Sequence, residues 1–474
     1  MKIITSWIDG AWSAPAGAAV NVLGKYSGAP IAQLHQSSSG DVERAIAAAE
    51  RAFTRGRLPI SERVAVLNRV AVALTLRSAE FACIISAEGG STIGEATKEV
   101  ERAIITLKAT AEESTRIDGD IIPLEGAPGG EEKFAFMLRH PLGVVCAITA
   151  FNSPLNTPIH KIAPAIAAGN SVVLKPPSVT PVSSALLCEI FAEAGLPPGW
   201  LNYVVGSGAT VGEQLLHDER IAFYHFTGST AVGRRIARTI GLRRSCLELG
   251  SIAATILLSD ADIGPAIKDI ARAGYAKAGQ VCTSTQVLYV EATVVDEVRD
   301  ALSDAVRRLS WGDPALPSTQ VGPLISSEEA DRVTAWIDRA LAGGARRLTG
   351  GGRDRAVLEP NLVTDVPENS SLLCEEVFGP VVSLVPVGSL DEAIARYNAG
   401  SYGLAAGVFT RDIQLAFNAV RRLRTGTLHV NAASSSRLDA MPFGGIKNSG
   451  HGKEGPRWAI QEMSEQRLTI LHGV

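Results

Sequence analysis

Between residues 143 and 247 the sequence alternates short apolar runs with helical segments, and this alternation restricts the chain to few folds. The runs 143–150, 171–176, 201–205 and 221–228 have the length and continuous apolarity of strands that are buried on both faces. The helical segments between them suit right-handed crossovers, so we predict a parallel sheet in an α/β fold. In such sheets ligands bind beyond the carboxyl ends of the strands.

The flanking regions predict further helices and a second α/β unit. Before residue 115, periodic apolar positions predict a helix capped by Asp41, a helix opened by Ser61 and a third helix from about Lys98 to Ser114. After residue 248, strands are predicted at 253–258, 286–290, 381–387 and 404–410, with a turn-rich connector at 344–352.

Composition and charge exclude several classes of protein. The 474 residues are 46% hydrophobic and carry a net charge of −4, with no run of five like charges, so nucleic-acid and membrane partners are not expected. The six cysteines are scattered, without the paired spacing of a metal site, and free thiols are typical of a reducing compartment. The N-terminus lacks a signal-peptide pattern. We therefore expect a soluble, cytoplasmic protein without a bound metal.

Two features of the sequence are suited to chemistry. Cys282 follows Gly-containing helical sequence and precedes a strand; it is either an activated nucleophile or a buried cysteine that only packs. The segment 226–233 ends a strand and starts a helix, where Gly228 and Ser229 suit the binding of a pyrophosphate. The segment 206–212 resembles a dinucleotide fingerprint but has the spacing GxGxxxG, so an ordinary tight turn stays open as an alternative.

Seven ordered sequence blocks resemble the aldehyde dehydrogenase family over essentially the whole chain. They are TAFN (149–152), GNSVVLKPPS (169–178), FTGSTAVG (226–233), LELG (247–250), GQVC (279–282), EEVFGP (375–380) and MPFGGIKNSGHGKEG (441–455). The resemblance implies an α/β aldehyde dehydrogenase fold with a Rossmann-like cofactor domain, an α/β catalytic domain and a small oligomerisation element. It also implies a homodimer or homotetramer.

The same resemblance implies the domain boundaries. The cofactor-binding domain comprises 1–115 and 140–247, the catalytic domain 248–425, the oligomerisation element 116–139 and 452–474, and a return segment with the substrate loop 426–451.

The family's chemistry, carried onto this sequence, assigns three catalytic residues. Cys282 matches the nucleophile that adds to the aldehyde carbonyl, and Asn152 matches the amide that holds the oxyanion together with the backbone N–H of Cys282. Glu248 matches the general base for hydrolysis of the thioester. The resemblance thus implies oxidation of an aldehyde to a carboxylic acid with hydride transfer to NAD or NADP.

Cofactor contacts are implied in the same way. Lys175 matches the residue that binds the adenosine ribose, Gly228 and Ser229 match the pyrophosphate contact, and Glu376 with Phe378 matches the pair that holds the nicotinamide riboside. Family members that favour NAD usually have Glu at the position of Ser178. Since serine does not repel a 2′-phosphate, we predict that NADP is tolerated or preferred.

The substrate is predicted from the segment 434–445. It resembles the branch that acts on lactaldehyde, phosphonoacetaldehyde and glyceraldehyde 3-phosphate, so a small polar or anionic aldehyde is expected, with Arg102 and Arg437 as anion-binding side chains. Arg102 has an alternative as the surface partner of Glu99. Phe151 replaces the usual tryptophan as the aromatic wall. Alternatives are an apolar or aromatic aldehyde, a coenzyme A-acylating dehydrogenase, a cofactor-free thiol esterase, or a non-catalytic protein on the same fold.

Overall fold

The computed structural model describes residues 1–17 and 19–473. Its strands are β1 (Lys2–Ile4), β2 (Trp7–Ile8), β3 (Ala11–Trp12), β4 (Ala19–Leu23), β5 (Pro30–His35), β6 (Gly119–Ile122), β7 (Lys133–Pro141), β8 (Val144–Ile148), β9 (Ser171–Lys175), β10 (Leu201–Tyr203), β11 (Ile221–Thr227), β12 (Arg244–Glu248), β13 (Ala253–Leu257), β14 (Thr285–Glu291), β15 (Arg346–Thr349), β16 (Arg353–Asp354), β17 (Val357–Leu358), β18 (Asn361–Thr364), β19 (Val381–Val387), β20 (Ala405–Phe409), β21 (Thr427–Val430), β22 (Gly450–His451) and β23 (Ser464–His472). Its α-helices are α1 (Ser39–Thr54), α2 (Ile60–Leu76), α3 (Ser78–Gly89), α4 (Ile93–Ser114), α5 (Asn156–Ala168), α6 (Val182–Glu193), α7 (Glu213–His217), α8 (Thr230–Thr239), α9 (Ile263–Tyr275), α10 (Val295–Arg307), α11 (Ser327–Ala342), α12 (Ser371–Cys374), α13 (Leu390–Ala399), α14 (Ile413–Arg422) and α15 (Pro456–Glu462).

The first large sheet has the strand order β22-β12-β11-β8-β9-β10-β2-β3. Its five central strands, β12 to β10, run parallel, as the apolar runs predict. They are buried because helices cover both faces of the sheet, and their side chains form one hydrophobic cluster on each face. All five carboxyl ends meet along one edge.

The second large sheet has the order β15-β18-β19-β14-β13-β20-β21 and is parallel except for β15. It contains the four strands predicted after residue 248, which confirms the second α/β unit. The predicted connector at 344–352 is wrong in part, because β15 lies within it and pairs antiparallel with β18. Pairing with a partner strand here outweighs the local preference of a glycine-rich segment for turns.

A third, antiparallel sheet has the order β23-β7-β6 and comes from the two segments predicted to form the oligomerisation element. It exposes apolar side chains that a lone soluble chain would be expected to bury, namely Ile121, Phe134, Leu138, Leu468, Ile470 and Leu471. These are the side chains that an oligomer interface would use. The domain boundaries and the homodimer or homotetramer remain predictions.

Two helix starts differ from the predicted ones because capping boxes set them, whereas α2 begins at Ile60, one residue before the predicted Ser61, without a side-chain cap. Ser38, not Asp41, is the N-cap of α1: the Ser38 hydroxyl accepts from the Asp41 N–H at 3.1 Å, and the Asp41 carboxylate accepts from the Ser38 N–H at 2.8 Å. Helix α4 begins at Ile93, more than a turn before Lys98, because Thr92 and Glu95 form the same motif there.

Helices α2 and α3 together satisfy the length and composition of a membrane span but are bent by 77° relative to each other. In the described part of the chain, no single helix is long and apolar enough to cross a membrane.

Candidate active site

Four predicted site residues lie at the carboxyl edge of the first large sheet. Glu248 ends β12, Gly228 follows β11, and Lys175 ends β9. Asn152 lies in the turn after β8, the strand between β11 and β9. Since these strands are parallel neighbours, the fold brings together side chains that are up to 96 positions apart in sequence, which is the placement expected for a ligand site.

Cys282 approaches this edge on a loop that leads into the second large sheet, between a short 3-10 turn (Ala276–Gly279) and β14. Two consecutive non-glycine residues of the turn are in the left-handed region, Lys277 at φ 50° and Ala278 at φ 54°. Such backbone is strained and persists only where surrounding contacts hold it. A Cβ on Gly279 would clash with the carbonyl oxygen of Gly379, so glycine is required at that position.

The contacts that hold this loop also connect it to the loop of Asn152. The Lys277 ammonium donates to the Asn152 carbonyl oxygen at 2.6 Å and to Glu99 Oε2 at 2.6 Å. In return, Asn152 Nδ2 donates to the Gln280 carbonyl oxygen at 2.8 Å. One hydrogen of the Asn152 amide is thus engaged, and the other is available to a developing oxyanion.

A cavity of about 130 Å³ lies where the two loops meet. Its lining includes Cys282, Glu248, Asn152, Phe378, Arg102 and Arg437. Phe151 packs its ring edge-on against that of Phe378, with centroids 5.7 Å apart. The cavity therefore contains a nucleophile, a carboxylate, an amide donor and two guanidinium groups within a space that suits a short substrate.

Burial sets the protonation states of the two reactive groups. Glu248 is 4% exposed, and burial, followed by the negative charge of Glu454, raises its pKa to about 8. Burial and the Glu248 carboxylate raise the pKa of the Cys282 thiol well above its ordinary value. Each group therefore favours its protonated form, and Cys282 needs a base to become a thiolate.

The other cysteines have no comparable surroundings. Cys146, Cys188 and Cys246 are buried, where desolvation raises the pKa of each thiol. Cys83 and Cys374, by contrast, are exposed. Cys83 lies on the outer face of α3 and Cys374 ends the short helix α12.

A buried charge cluster beside Glu248 escaped the sequence analysis. Lys161, on α5, donates to Glu454 at 2.8 Å and is fully buried, and Arg437 donates to the other Glu454 oxygen at 3.1 Å. The guanidinium of Arg437 also lies 3.9 Å from the centroid of the Phe443 ring. A lysine within the apolar helix 156–168 was the one available signal, because a buried lysine needs an acidic partner.

Arg102 does not pair with Glu99, so the alternative interpretation of Arg102 as a surface partner of Glu99 is wrong. It makes two hydrogen bonds of 2.9 Å to Asp439, from Nε and Nη2. Glu99 instead binds Lys277 and accepts at Oε1 from the backbone N–H groups of Leu155 and Asn156, at the start of α5. Glu99 is therefore a buried structural carboxylate, and Arg102 faces the cavity together with Arg437.

The remaining predicted residues have donors of the kind that bind a dinucleotide. Lys175 is 7% exposed, and among the described residues its ammonium has a single contact, of 3.4 Å to the Pro176 carbonyl, so it can still donate to ribose hydroxyls. Ser229 caps α8 and leaves the N–H groups of that helix start for a pyrophosphate, next to Gly228. Ser178 is half-buried three residues beyond Lys175.

Glu376 and Phe378 lie in the segment before β19 of the second large sheet. Glu376 Oε1 accepts from the Ser251 N–H at 2.9 Å, and burial raises the pKa of Glu376 to about 7. Phe378 has a left-handed φ of 48° and lines the cavity. In the described residues, no three His, Cys, Asp or Glu side chains group as metal ligands would.

Comparisons with known proteins agree with this geometry. The model of the Aldehyde dehydrogenase family matches residues 12–469. The chain is 43% identical to a 3-sulfolactaldehyde dehydrogenase from Priestia aryabhattai over 466 residues, 98% of this chain and 97% of that protein. A crystal structure of aldehyde dehydrogenase 21 from Physcomitrella patens, in complex with its reaction product succinate, has a TM-score of 0.97 at 34% identity and covers 100% of this chain and 99% of that one.

A glyceraldehyde-3-phosphate dehydrogenase from Methanocaldococcus jannaschii, complexed with NADP, has a TM-score of 0.92 at 34% identity and covers 95% of this chain and 98% of that chain. The predicted fold class is thereby confirmed. The chain belongs to the aldehyde dehydrogenase family and is an NAD(P)-dependent aldehyde dehydrogenase.

Proposed function

We propose that this enzyme oxidises a short aldehyde with an anionic group at its far end, with Cys282 as the nucleophile. The observation that carries the proposal is the charge around Glu454. Two cations, Lys161 and Arg437, share that single carboxylate, so the cluster has a surplus positive charge while the neighbouring Glu248 is protonated, and Arg437 lines the cavity. Burial of such a charge is costly without a counter-ion, and an anionic substrate supplies one.

The guanidinium of Arg437 is fixed in position, but not all of its hydrogen-bond donors are used. Its Nη2 donates to Glu454, whereas its buried Nε has no hydrogen-bond partner among the described residues. Arg102 is fixed by Asp439 through two of its five N–H donors. Both guanidinium groups can therefore bind an anion without reorganising.

The related proteins support the same substrate class. Sulfolactaldehyde, succinate and glyceraldehyde 3-phosphate are the compounds named for the three relatives, and each has a sulfonate, carboxylate or phosphate group on a short carbon chain. Their shared feature is a terminal anion. The apolar-aldehyde, acylating and esterase alternatives gain no support from these comparisons.

The chemistry proposed for the site begins at Cys282. After the Cys282 thiol loses its proton to solvent, Sγ forms a bond to the aldehyde carbon and the carbonyl oxygen becomes an oxyanion. The free amide hydrogen of Asn152 and the backbone N–H of Cys282 stabilise that charge. As the oxyanion collapses to the thioester carbonyl, the C–H bond of this carbon breaks and its electron pair leaves as hydride, for which NAD(P), when bound, supplies the acceptor.

Hydrolysis then releases the product. The acyl group remains on Cys282 as a thioester, and Glu248 removes a proton from the water that attacks it. The C–S bond breaks, its electrons return to sulfur as the thiolate, and the carboxylic acid leaves. A buried carboxyl with a pKa of about 8 is a suitable base for this step, because it changes charge near neutral pH.

Replacing Arg437 by leucine tests the anion-binding proposal. We expect kcat/KM for glyceraldehyde 3-phosphate or succinate semialdehyde to fall roughly 10- to 100-fold, the usual value of a hydrogen bond to a charged group. With propanal the loss should be much smaller, because propanal has no anion to bind. Arg437→Lys is the matched control, since it keeps the charge but loses the planar fork. An unchanged KM for the best substrate in both Arg437→Ala and Arg102→Ala would contradict the proposal.

Cofactor preference follows from Ser178. We expect wild-type enzyme to use NADP at least as well as NAD, and Ser178→Glu to lower kcat/KM for NADP about tenfold or more relative to NAD, because the carboxylate repels the 2′-phosphate. Steady-state kinetics with both cofactors measure the ratio. Ser178→Gln, of the same size without the charge, is the control. A wild-type enzyme that uses NAD alone would show the idea to be wrong.

A further inference from the structure

The ammonium of Lys277 uses all three of its hydrogens within the protein. It donates to Glu99 Oε2 at 2.6 Å, to the Asn152 carbonyl oxygen at 2.6 Å and to the Ser153 hydroxyl at 2.9 Å. Only 15% of the Lys277 side chain is exposed, and Glu99 is buried. Since an ammonium has three donors, this one has none left for a ligand, and its contacts serve to hold the protein itself.

The backbone of Lys277 shows that the side chain matters more than the turn. Its φ of 50° lies in the left-handed region, which is strained for every residue with a Cβ except at particular sites. Glycine would adopt this conformation without strain. The contacts of the ammonium, by contrast, need a long cationic side chain, and they offset the strain of the lysine backbone.

Asn152 is held at both its backbone and its side chain by the segment that precedes Cys282. Lys277 binds the Asn152 carbonyl oxygen, and the carbonyl oxygen of Gln280 accepts from Asn152 Nδ2 at 2.8 Å. These two residues lie five and two positions before Cys282. The place of the free amide hydrogen of Asn152 relative to the sulfur therefore depends on this segment as well as on the first large sheet.

Glu99 fixes the ammonium from the other side. Its Oε1 accepts from the backbone N–H groups of Leu155 and Asn156, at 3.0 and 3.2 Å, where the loop of Asn152 enters α5. The ion pair of Glu99 and Lys277 thus joins α4, the loop of Asn152 and the loop of Cys282. Because all of these bonds are made within the protein, they exist before a substrate binds.

We infer that Lys277 is a positioning residue for the oxyanion, which holds Asn152 where its amide can donate to the oxygen of the aldehyde bound to Cys282. Lys277 is not among the described residues that line the cavity, so it acts through Asn152 and not by touching the substrate. Donors to an oxyanion are effective because they are fixed where the charge develops. The inference rests on the proposed function, because it takes Asn152 as a donor to the oxyanion.

Replacing Lys277 by glycine tests this role, because it removes the ammonium and relieves the strained backbone at once. We expect kcat with glyceraldehyde 3-phosphate and NADP to fall about 10- to 100-fold, as a displacement of about 1 Å in a catalytic group can cause. The Kd for NADPH, from a fluorescence titration, should stay at the wild-type value. Lys277→Arg keeps the charge and should retain part of kcat. A wild-type kcat in Lys277→Gly would overturn the inference.

A double-mutant cycle with Asn152→Ala distinguishes positioning from a general structural role. Asn152→Ala removes the donor itself and should lower kcat about 10²- to 10³-fold. If Lys277 acts through Asn152, Lys277→Gly in the Asn152→Ala background should cost no more than about threefold further. A loss of 10- to 100-fold in both backgrounds would overturn the inference. If the glycine variant does not fold, as judged by its Tm, Lys277→Gln replaces it in the same cycle with the same criterion.

The cycle also separates failure of this inference from failure of the proposed function. Impaired Asn152→Ala together with independent losses would refute the role of Lys277 and leave Asn152 as the oxyanion donor. A wild-type kcat in Asn152→Ala would refute the proposed chemistry at Asn152, and the role of Lys277 with it. The anion-binding proposal is tested by Arg437→Leu in either case.

Discussion

Replacing Cys282 by alanine is expected to abolish aldehyde-dependent reduction of NAD(P), with a loss of at least about a thousandfold in kcat. The reason is that the cavity holds one partly exposed thiol, next to Glu248 and Asn152, and neither the carboxylate nor the amide can replace it as a covalent nucleophile. Cofactor binding should persist, because Lys175, Ser229 and Glu376 are unchanged. Absorbance of the reduced nicotinamide measures turnover, and a fluorescence titration with NADPH measures binding.

The two exposed cysteines provide matched controls for this experiment. Cys83→Ala and Cys374→Ala remove thiols that are far more accessible to reagents and lie outside the cavity. We expect both to keep essentially wild-type kcat. Loss of activity in either control, or dehydrogenase activity that survives Cys282→Ala, would show that Cys282 is not the nucleophile.

The strands that place this site were predictable because burial on both faces leaves a clear signal in the sequence. Residues 144–148, 171–175 and 221–227 are almost entirely apolar, and a parallel α/β sheet is the usual structure that requires such runs. Once they are adjacent, Glu248 and Lys175 must lie at one edge. The catalytic and cofactor roles themselves came from the resemblance to the aldehyde dehydrogenase family, and they remain predictions.

The partners of the charged residues were not predictable, because local spacing identifies only neighbours on the same helix. Glu99 was the natural partner of Arg102 at a separation of three residues, yet Arg102 pairs with Asp439, 337 residues away. Glu99 in turn pairs with Lys277, 178 residues away. Such long-range choices depend on which loops the fold brings together.

The backbone conformation of the loop that carries Cys282 was not predictable either. Nothing in the sequence marks Lys277 and Ala278 for a left-handed conformation, which normally favours glycine or asparagine. The conformation is maintained by contacts of Lys277 with Glu95, Glu99 and Asn152. A strained turn at a reactive cysteine is therefore a tertiary property, and only a structure reveals it.

Replacing Glu248 by glutamine is expected to separate the two halves of the reaction. Because the thioester can still form but its hydrolysis lacks a base, we expect a burst of about one reduced nicotinamide per active site, followed by turnover slowed roughly 10²- to 10⁴-fold. Stopped-flow absorbance resolves the two phases. Glu248→Asp, which keeps the carboxylate but shortens its reach, should retain part of the slow phase. A variant that turns over at the wild-type steady rate would exclude Glu248 as the base.

The pH dependence provides an independent test of the same residue. A base must be ionised to accept a proton, and the pKa of Glu248 is raised to about 8, so wild-type hydrolysis should rise as pH increases through 8 and decline below it. The Glu248→Gln variant should lose that dependence. The Glu248→Gln substitution should also make Cys282 react faster with iodoacetamide above pH 8, where Glu248 is ionised in the wild type, because the Glu248 carboxylate is one of the groups that raise the pKa of the thiol. If Glu248 had only a structural role, the Glu248→Gln substitution would change neither the pH dependence of hydrolysis nor the alkylation rate in these directions.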